Sequence, residues 1–155
     1  DEIIALAKSG LPVIADSRYN IGEYTDCILK PNEVECWRAV YNNEGYIDAG
    51  YDEFIEAAKL LAKKNRSTVF CTLGKRGSIV TDGGRTEKAD AVLFDGEVDI
   101  CGAGDTSLSA FSAAIAAKTE FKAAAQFAGL ASGVTVRKIG VTGTASPEEI
   151  EALAQ

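Results

Sequence analysis

Histidine and methionine are both missing from the 155 residues, and tryptophan occurs once and proline three times. Without histidine, a Ser-His-Asp hydrolase, a His-ligated zinc site and imidazole acid–base chemistry are all excluded. Any general base must be a carboxylate, a lysine, a tyrosine or a cysteine. Without methionine, Asp1 is not a native start, and the chain reads as part of something longer. No apolar run approaches the ~20 residues of a membrane span, and no signal peptide is visible. The four cysteines (Cys27, Cys36, Cys71 and Cys101) show no CxxC spacing. They are expected as reduced, buried thiols of a cytoplasmic protein rather than as a disulfide framework. Basic residues are outnumbered, 16 against 23, for a net charge of −7. That excess argues against nucleic acid or an anionic membrane as partner, while leaving room for a small phosphorylated ligand held by local dipoles. There is no internal repeat, low-complexity tract or dividing linker, so one domain is expected, long enough to bury roughly two-thirds of its unfolded surface.

What the sequence does contain is organised around Asp99-Ile-Cys-Gly-Ala-Gly-Asp-Thr-Ser-Leu-Ser-Ala-Phe-Ser-Ala-Ala-Ile-Ala-Ala117. It reads as a glycine loop entering a helix near Gly104 or Asp105, with Leu108, Phe111 and Ile115 on one apolar face. Free amides in the first turn, together with the helix dipole, make Gly102, Ala103 and Gly104 an anion site. Asp105 stands in the same turn. A carboxylate there suits a hydroxyl that loses its proton while attacking a phosphoryl group; the plainer alternative is a helix cap.

Around this stretch the chain alternates helices and strands. A helix over 1–9, stopped by Gly10, presents Ile3, Leu6 and Ala7 on one face. Leu11 to Ala15 reads as a buried parallel strand ending at Asp16-Ser17-Arg18, and ligands sit beyond the carboxyl ends of such strands. Asp16 and Arg18 are therefore candidates for substrate contact, or else form a solvated loop with a local ion pair. Cys27 to Lys30 is the next strand, followed by a helix to about Val40 whose Asn32 and Glu35 have capping-box spacing. Residues 42–50 read as a loop, and Tyr51 to Lys64 as an amphipathic helix with an apolar stripe of Tyr51, Phe54, Ile55, Ala58, Leu61 and Ala62. Ser67 to Leu73 is a central strand running into Thr72-Leu73-Gly74-Lys75-Arg76-Gly77. The two glycines admit a phosphate, with Lys75 or Arg76 adding charge, or mark a turn. A hairpin over 78–89 and a strand over 91–94 follow. A helix over 121–132, with Phe127, Leu130 and Ala131 on a face, leads to a short β-branched segment, Val134 to Val136. The last helix opens at Ser146-Pro147-Glu148-Glu149, a capping box with Pro at N1.

Asp-x-x-Gly-Ala-Gly-Asp opening an Ala/Ser-rich helix resembles the C-terminal signature of the PfkB family, the ribokinase-like sugar kinases, with Ile100 where that family more often has a small or hydroxylated residue. Asn32-x-x-Glu35 and Thr72-Leu-Gly-x-x-Gly77 match further family motifs in family order. Ala15-Asp-Ser-Arg, Lys30-Pro-Asn-Glu-Val-Glu35 and the run from Val134 to Thr144 look most like the heptose-phosphate kinase half of ADP-heptose synthases. The resemblance implies an α/β, mostly parallel sheet flanked by helices, with a β-hairpin, and only the C-terminal part of that fold. It implies ATP and magnesium as cofactors, with potassium in addition. Asp105 becomes the catalytic base and Gly102, Ala103 and Gly104 the anion hole. Asn32, Glu33, Glu35, Thr72, Gly74 and Gly77 become nucleotide-binding. Asn32 and Glu35 place magnesium partly through water, and Asp99 serves a monovalent cation beside the loop at 137–143, which walls the adenine. Gly129 falls where some relatives carry an adenine-facing polar residue. The acceptor is then a sugar or sugar phosphate, and the chain is expected to self-associate or to dock on the N-terminal half that relatives carry.

Two other readings remain open at this point. One is a nucleotide- or partner-binding module without turnover of its own. The other is a dinucleotide-dependent oxidoreductase, which the incomplete Gly-x-Gly-x-x-Gly pattern disfavours.

Overall fold

The computed structural model describes residues 2–43 and 49–155. The loop expected over 42–50 falls largely on 44–48, outside the described residues. The packing divides into two compact units, Asp1–Lys88 and Ala89–Gln155.

The first unit is built on a mixed five-stranded sheet. Its elements are α1 (Glu2–Lys8), β1 (Ile14–Ala15), β2 (Ile28–Leu29), α2 (Glu33–Tyr41), α3 (Tyr51–Asn65), β3 (Thr68–Thr72), β4 (Ser78–Thr81) and β5 (Thr86–Ala89), with strand order β1-β2-β3-β4-β5. β1, β2 and β3 are parallel, with Ala15 opposite Leu29 and Leu29 opposite Val69. β4 returns antiparallel to β3, with Thr72 opposite Ser78. β1 is shorter than the apolar run 11–15 suggests. Pro12 has no amide to give the ladder, so regular pairing begins only at Ile14.

α3 forms where the heptad-like pattern predicts it. Phe54, Ile55, Ala57, Ala58, Leu61 and Ala62 are buried on the core side. Glu53 Oε2 accepts the Gly50 amide at 2.6 Å, closing the first turn. Asn65, 1% exposed, ends the helix and donates through Nδ2 to the carbonyls of Gly22 and Tyr24, at 2.8 and 2.6 Å. Cys36 of α2 and Cys71 of β3 are both fully buried, and the Cys36 thiol, together with burial, pushes the Cys71 thiol well up. Cys27 is buried too, but Cys101 is exposed, contrary to the expectation for all four. α1 forms as expected, yet Ile3 and Leu6 stay exposed and only Ala7 of that face packs on the core.

The second unit is helical: α4 (Ala103–Ala116), α5 (Phe121–Thr135) and α6 (Pro147–Ala154). The strand expected at 91–94 is irregular chain. Val134 and Thr135 continue α5 rather than starting a strand. Thr135 Oγ1 donates to Thr106 Oγ1 (3.1 Å) and to the Ala131 carbonyl (3.3 Å), so its β-branched side chain is used inside the helix bundle. The buried face of α5 is Ala124, Ala125, Ala128 and Ala131; Phe127, predicted to share it, is 38% exposed. Ser146 caps α6 as its sequence predicts, with Glu149 Oε2 accepting the Ser146 amide at 2.8 Å. Among the described residues no helix is long and apolar enough to cross a membrane.

Candidate functional site

In the first unit the candidate residues gather at the carboxyl ends of the three parallel strands. Asn32 caps α2: its Oδ1 accepts the Glu35 amide (2.8 Å) and its own amide donates to Glu35 Oε2 (2.9 Å). Both side chains are thus held by the reciprocal bonds of a capping box. A β-bridge pairs Asn32 with Thr72, and the Thr72 amide donates to the Pro31 carbonyl at 3.0 Å. Two motifs 40 positions apart in the sequence therefore meet at one place. Glu33 sits half-buried in the first turn of α2.

From Thr72 the chain turns through a 3-10 turn, Gly74–Arg76, into β4. Gly77 closes that turn at φ 85 and ψ −137, a conformation open in practice only to glycine, with its amide donating to the Gly74 carbonyl at 3.1 Å. Lys75 is exposed. Arg76 folds back, its Cζ 4.6 Å from the ring centroid of Phe54.

Asp16, exposed at the end of β1, forms an ion pair with Lys30 at the end of β2, Nζ to Oδ2 2.8 Å. The Lys30 side chain is only 5% exposed against 31% for Asp16. Arg18 is exposed, and its carbonyl accepts from Arg38 Nη1 at 2.9 Å.

In the second unit the site is the tip of α4. Gly102 is the N-cap residue, at φ 79 and ψ −5. A Cβ there would lie 2.9 Å from Cγ2 of Thr142, so both the left-handed backbone and the close approach require glycine. The Ala103 amide is taken by the Ile100 carbonyl at 3.1 Å, and the first helical bond runs from the Thr106 amide to the Gly102 carbonyl at 2.9 Å. The amides of Gly102, Gly104 and Asp105 make no hydrogen bond with the described residues. Of the three amides expected to face an anion, those of Gly102 and Gly104 are unclaimed and that of Ala103 is taken; the Asp105 amide is unclaimed as well. The Asp105 side chain is exposed in the same turn.

Asp99 braces this tip. Its Oδ1 accepts the Cys101 amide (2.9 Å), its Oδ2 the Gly140 amide (3.0 Å), and its amide donates to the Val136 carbonyl (2.8 Å). The Cys101 and then the Gly140 amide hold its carboxyl below the ordinary carboxylate range. The loop before α4 is thereby tied to the loop after α5. Gly129 lies within α5, and a Cβ there would sit 3.7 Å from the Asp90 carbonyl.

The candidates thus form two groups, each within its own unit. Sequence reasoning quotes Lys30 within a motif but gives it no role, although a lysine at a strand's end, two residues before the cap Asn32, was a signal for it. The resemblance places the loop at 137–143 beside Asp99, and Gly140 and Thr142 are its residues that meet Asp99 and Gly102.

Comparison with solved structures defines the class first: the fold is ribokinase-like. Arabidopsis thaliana ribokinase complexed with ribose and ATP matches 99% of this chain with a TM-score of 0.83 and 25% identity, over 50% of its own chain. Phosphofructokinase-2 from Escherichia coli in complex with potassium matches 99% at a TM-score of 0.81 and 20% identity, over 51% of its chain. The pfkB family carbohydrate kinase model matches residues 3–149, and the chain belongs to that family. Among curated relatives, the bifunctional protein HldE of Nitratiruptor sp. is 33% identical over 149 residues, 94% of this chain and 30% of that protein. HldE of Geotalea uraniireducens is 35% identical over 150 residues, 92% of this chain and 29% of that one. The chain spans less than a third of these curated relatives and about half of the matched solved chains. Family membership sets aside the dinucleotide-dependent alternative.

Proposed function

We propose that this chain is the nucleotide-binding and catalytic portion of an ATP-dependent kinase that phosphorylates a hydroxyl of a sugar or sugar phosphate. The observation that carries the reading is the tip of α4, where an exposed carboxylate, Asp105, shares one helical turn with three unclaimed amides. Phosphoryl transfer leaves the protein mainly positioning and charge stabilisation to supply. The amides of Gly102, Gly104 and Asp105 stabilise charge developing on the transferred oxygens. Asp105 orients the acceptor hydroxyl and takes its proton as the new O–P bond forms and the bond to the β-phosphate oxygen breaks, releasing ADP. In the first unit, Thr72, Gly74 and Gly77 admit the nucleotide phosphates, beside Glu33 and the Asn32–Glu35 cap. The likeness to the heptose-phosphate kinases favours a phosphorylated seven-carbon sugar as the acceptor within that class.

Magnesium fits the donors present. No group of three or more His, Cys, Asp or Glu converges among the described residues, and Glu35 Oε1 makes no hydrogen bond with them. That suits an ion that keeps several waters and takes one or two protein oxygens, with Glu35 and Asn32 holding it. When bound, it neutralises charge on the phosphates. Potassium would be held by Asp99, each of whose oxygens keeps a lone pair beyond its amide bond.

A coupled ADP-release assay with a panel of sugars and sugar phosphates, heptose phosphates included, tests the reading. In a protein that turns over, Asp105→Asn lowers kcat by at least ~100-fold, the scale of a positioned base, and leaves ATP binding within about twofold. A variant that keeps more than a tenth of the turnover removes Asp105 from the role. The unclaimed amides at the tip of α4 are also compatible with a second reading, a module that binds nucleotide without turnover of its own. ATP binding with no sugar-dependent ADP release supports that reading, and absence of ATP binding overturns both.

A further inference from the structure

The turn between β3 and β4 carries two adjacent exposed cations, and the structure uses them differently. Lys75 makes no hydrogen bond or ion pair with the described residues. Arg76 bends over α3, its Cζ 4.6 Å from the Phe54 ring centroid and its Nη1 3.4 Å from the Ala49 carbonyl. Phe54 is 1% exposed and meets Trp37 edge-on, with centroids 5.7 Å apart and planes at 63°. Trp37 lies in turn 4.4 Å from Tyr41, centroid to centroid. These contacts form a ladder from the glycine turn across α3 to α2, the helix whose first turn holds Asn32 and Glu35. The hydrogen bonds of the turn are local: Arg76 amide to Leu73 carbonyl, Gly77 amide to Gly74 carbonyl, Leu73 amide to Gly77 carbonyl. They close the turn but do not fix its attitude toward the helices. A planar, weakly hydrated guanidinium lying on an aromatic face is suited to that second task.

We propose that Arg76 is a positioning residue. It pins the glycine turn to Phe54 and so to the helix of the Asn32–Glu35 cap, leaving Lys75 as the cation that meets the nucleotide phosphates. The pin itself is independent of any ligand; its consequence for binding rests on the nucleotide reading above.

The test uses the whole chain with two readouts, amide hydrogen exchange without nucleotide and dissociation constants for ATP and for adenosine. Arg76→Ala is expected to speed exchange at the amides of residues 76 and 77 by ~2- to 5-fold, the range one exposed cation–π contact supports. Exchange in β3 and β4 stays as in the wild type. The same variant weakens ATP by a similar factor and leaves adenosine unchanged. Arg76→Lys restores part of both effects. Phe54→Leu, which keeps an apolar side chain in the core, reproduces them, and combining it with Arg76→Ala adds nothing further. Lys75→Ala weakens ATP at least as much while leaving exchange at 76 and 77 unchanged. Wild-type exchange in Arg76→Ala overturns the pin. Loss of ATP affinity in Arg76→Ala, with none in Lys75→Ala, overturns the division of labour by making Arg76 the phosphate ligand. If the wild type binds no ATP, the nucleotide reading fails and takes the role of Lys75 with it, while the exchange data still decide the pin.

Discussion

Glu35 has two candidate jobs that one substitution can separate. As the third residue of α2 it accepts the Asn32 amide at 2.9 Å, and as a carboxylate it is a candidate ligand for magnesium. Glutamine has the same length and can still accept that amide. Glu35→Gln therefore keeps the capping bond and loses only a charge near the positive end of the helix, about 0.3–1 kcal/mol. Asn32→Ala removes the acceptor of the Glu35 amide, now 2.8 Å away, at a cost of about 1 kcal/mol, up to 2. Glu35→Ala should fall near Asn32→Ala. In a chain of this size 1 kcal/mol moves the melting temperature by roughly 2–4 °C, within reach of circular dichroism. The magnesium dependence of ATP binding, followed by calorimetry, should separate the variants in a different order. Glu35→Gln, the milder change for stability, should shift the magnesium midpoint by about tenfold or more, the scale on which lost partners weaken metal sites. If Glu35→Gln melts as low as Glu35→Ala, the capping account is wrong. If its magnesium midpoint matches the wild type, Glu35 is a cap and nothing more.

Two further perturbations probe the framework around the candidate groups. Asp16→Ala leaves the Lys30 ammonium, 5% exposed, without its carboxylate, and should cost about 2–3 kcal/mol, less than a fully buried pair because Asp16 is itself 31% exposed. Lys30→Met should stay within about 1 kcal/mol of the wild type, since the apolar stem is kept and Asp16 can hydrate; equal losses in urea melts would refute that asymmetry. Asp99 supplies the pH dependence: its folded-state pKa lies below its unfolded value, so its contribution is complete above the unfolded pKa and is lost as pH falls through the folded one. Urea midpoints of the wild type and Asp99→Ala should therefore differ at pH 7 and begin to converge below pH about 4; a gap that stays constant down to pH 2.5 would show that the amide bonds of Cys101 and Gly140 do not depend on the charge.

What could be read from the sequence was local. The stripe of α3 and the capping boxes at 32–35 and 146–149 are patterns within four residues, and all three form as read. Where local preference and packing disagree, packing decides. Val134 and Thr135 are β-branched yet helical, because Thr135 finds its partners on α4 and within α5. Phe127 is the larger apolar side chain, but it is 38% exposed while the alanines of α5 are buried. The segment 91–94 is apolar enough for a strand but pairs with none. The candidate site was legible as a set of motifs, whereas its braces were not. The Arg76–Ala49 bond spans 27 positions and neither end announces the other, while for the Asp99–Gly140 bond, across 41 positions, only the family resemblance places the loop at 137–143 beside Asp99. That Ala103 gives its amide to Ile100, while those of Gly104 and Asp105 find no partner among the described residues, depends on how the loop enters the helix, which composition does not encode.

The alanine face of α5 has a bearing on where chemistry can take place. α4 packs along α5, and four of the side chains buried on α5 are alanine methyl groups, beside Val134 and Thr135. Helix separation in such a pair is set by backbone bulk and tolerates almost no adjustment. A single larger residue at one of these buried alanines would strain the packing around α5. On the proposed reading, this chemically silent helix thus works as a gauge block for α4, whose first turn carries Asp105.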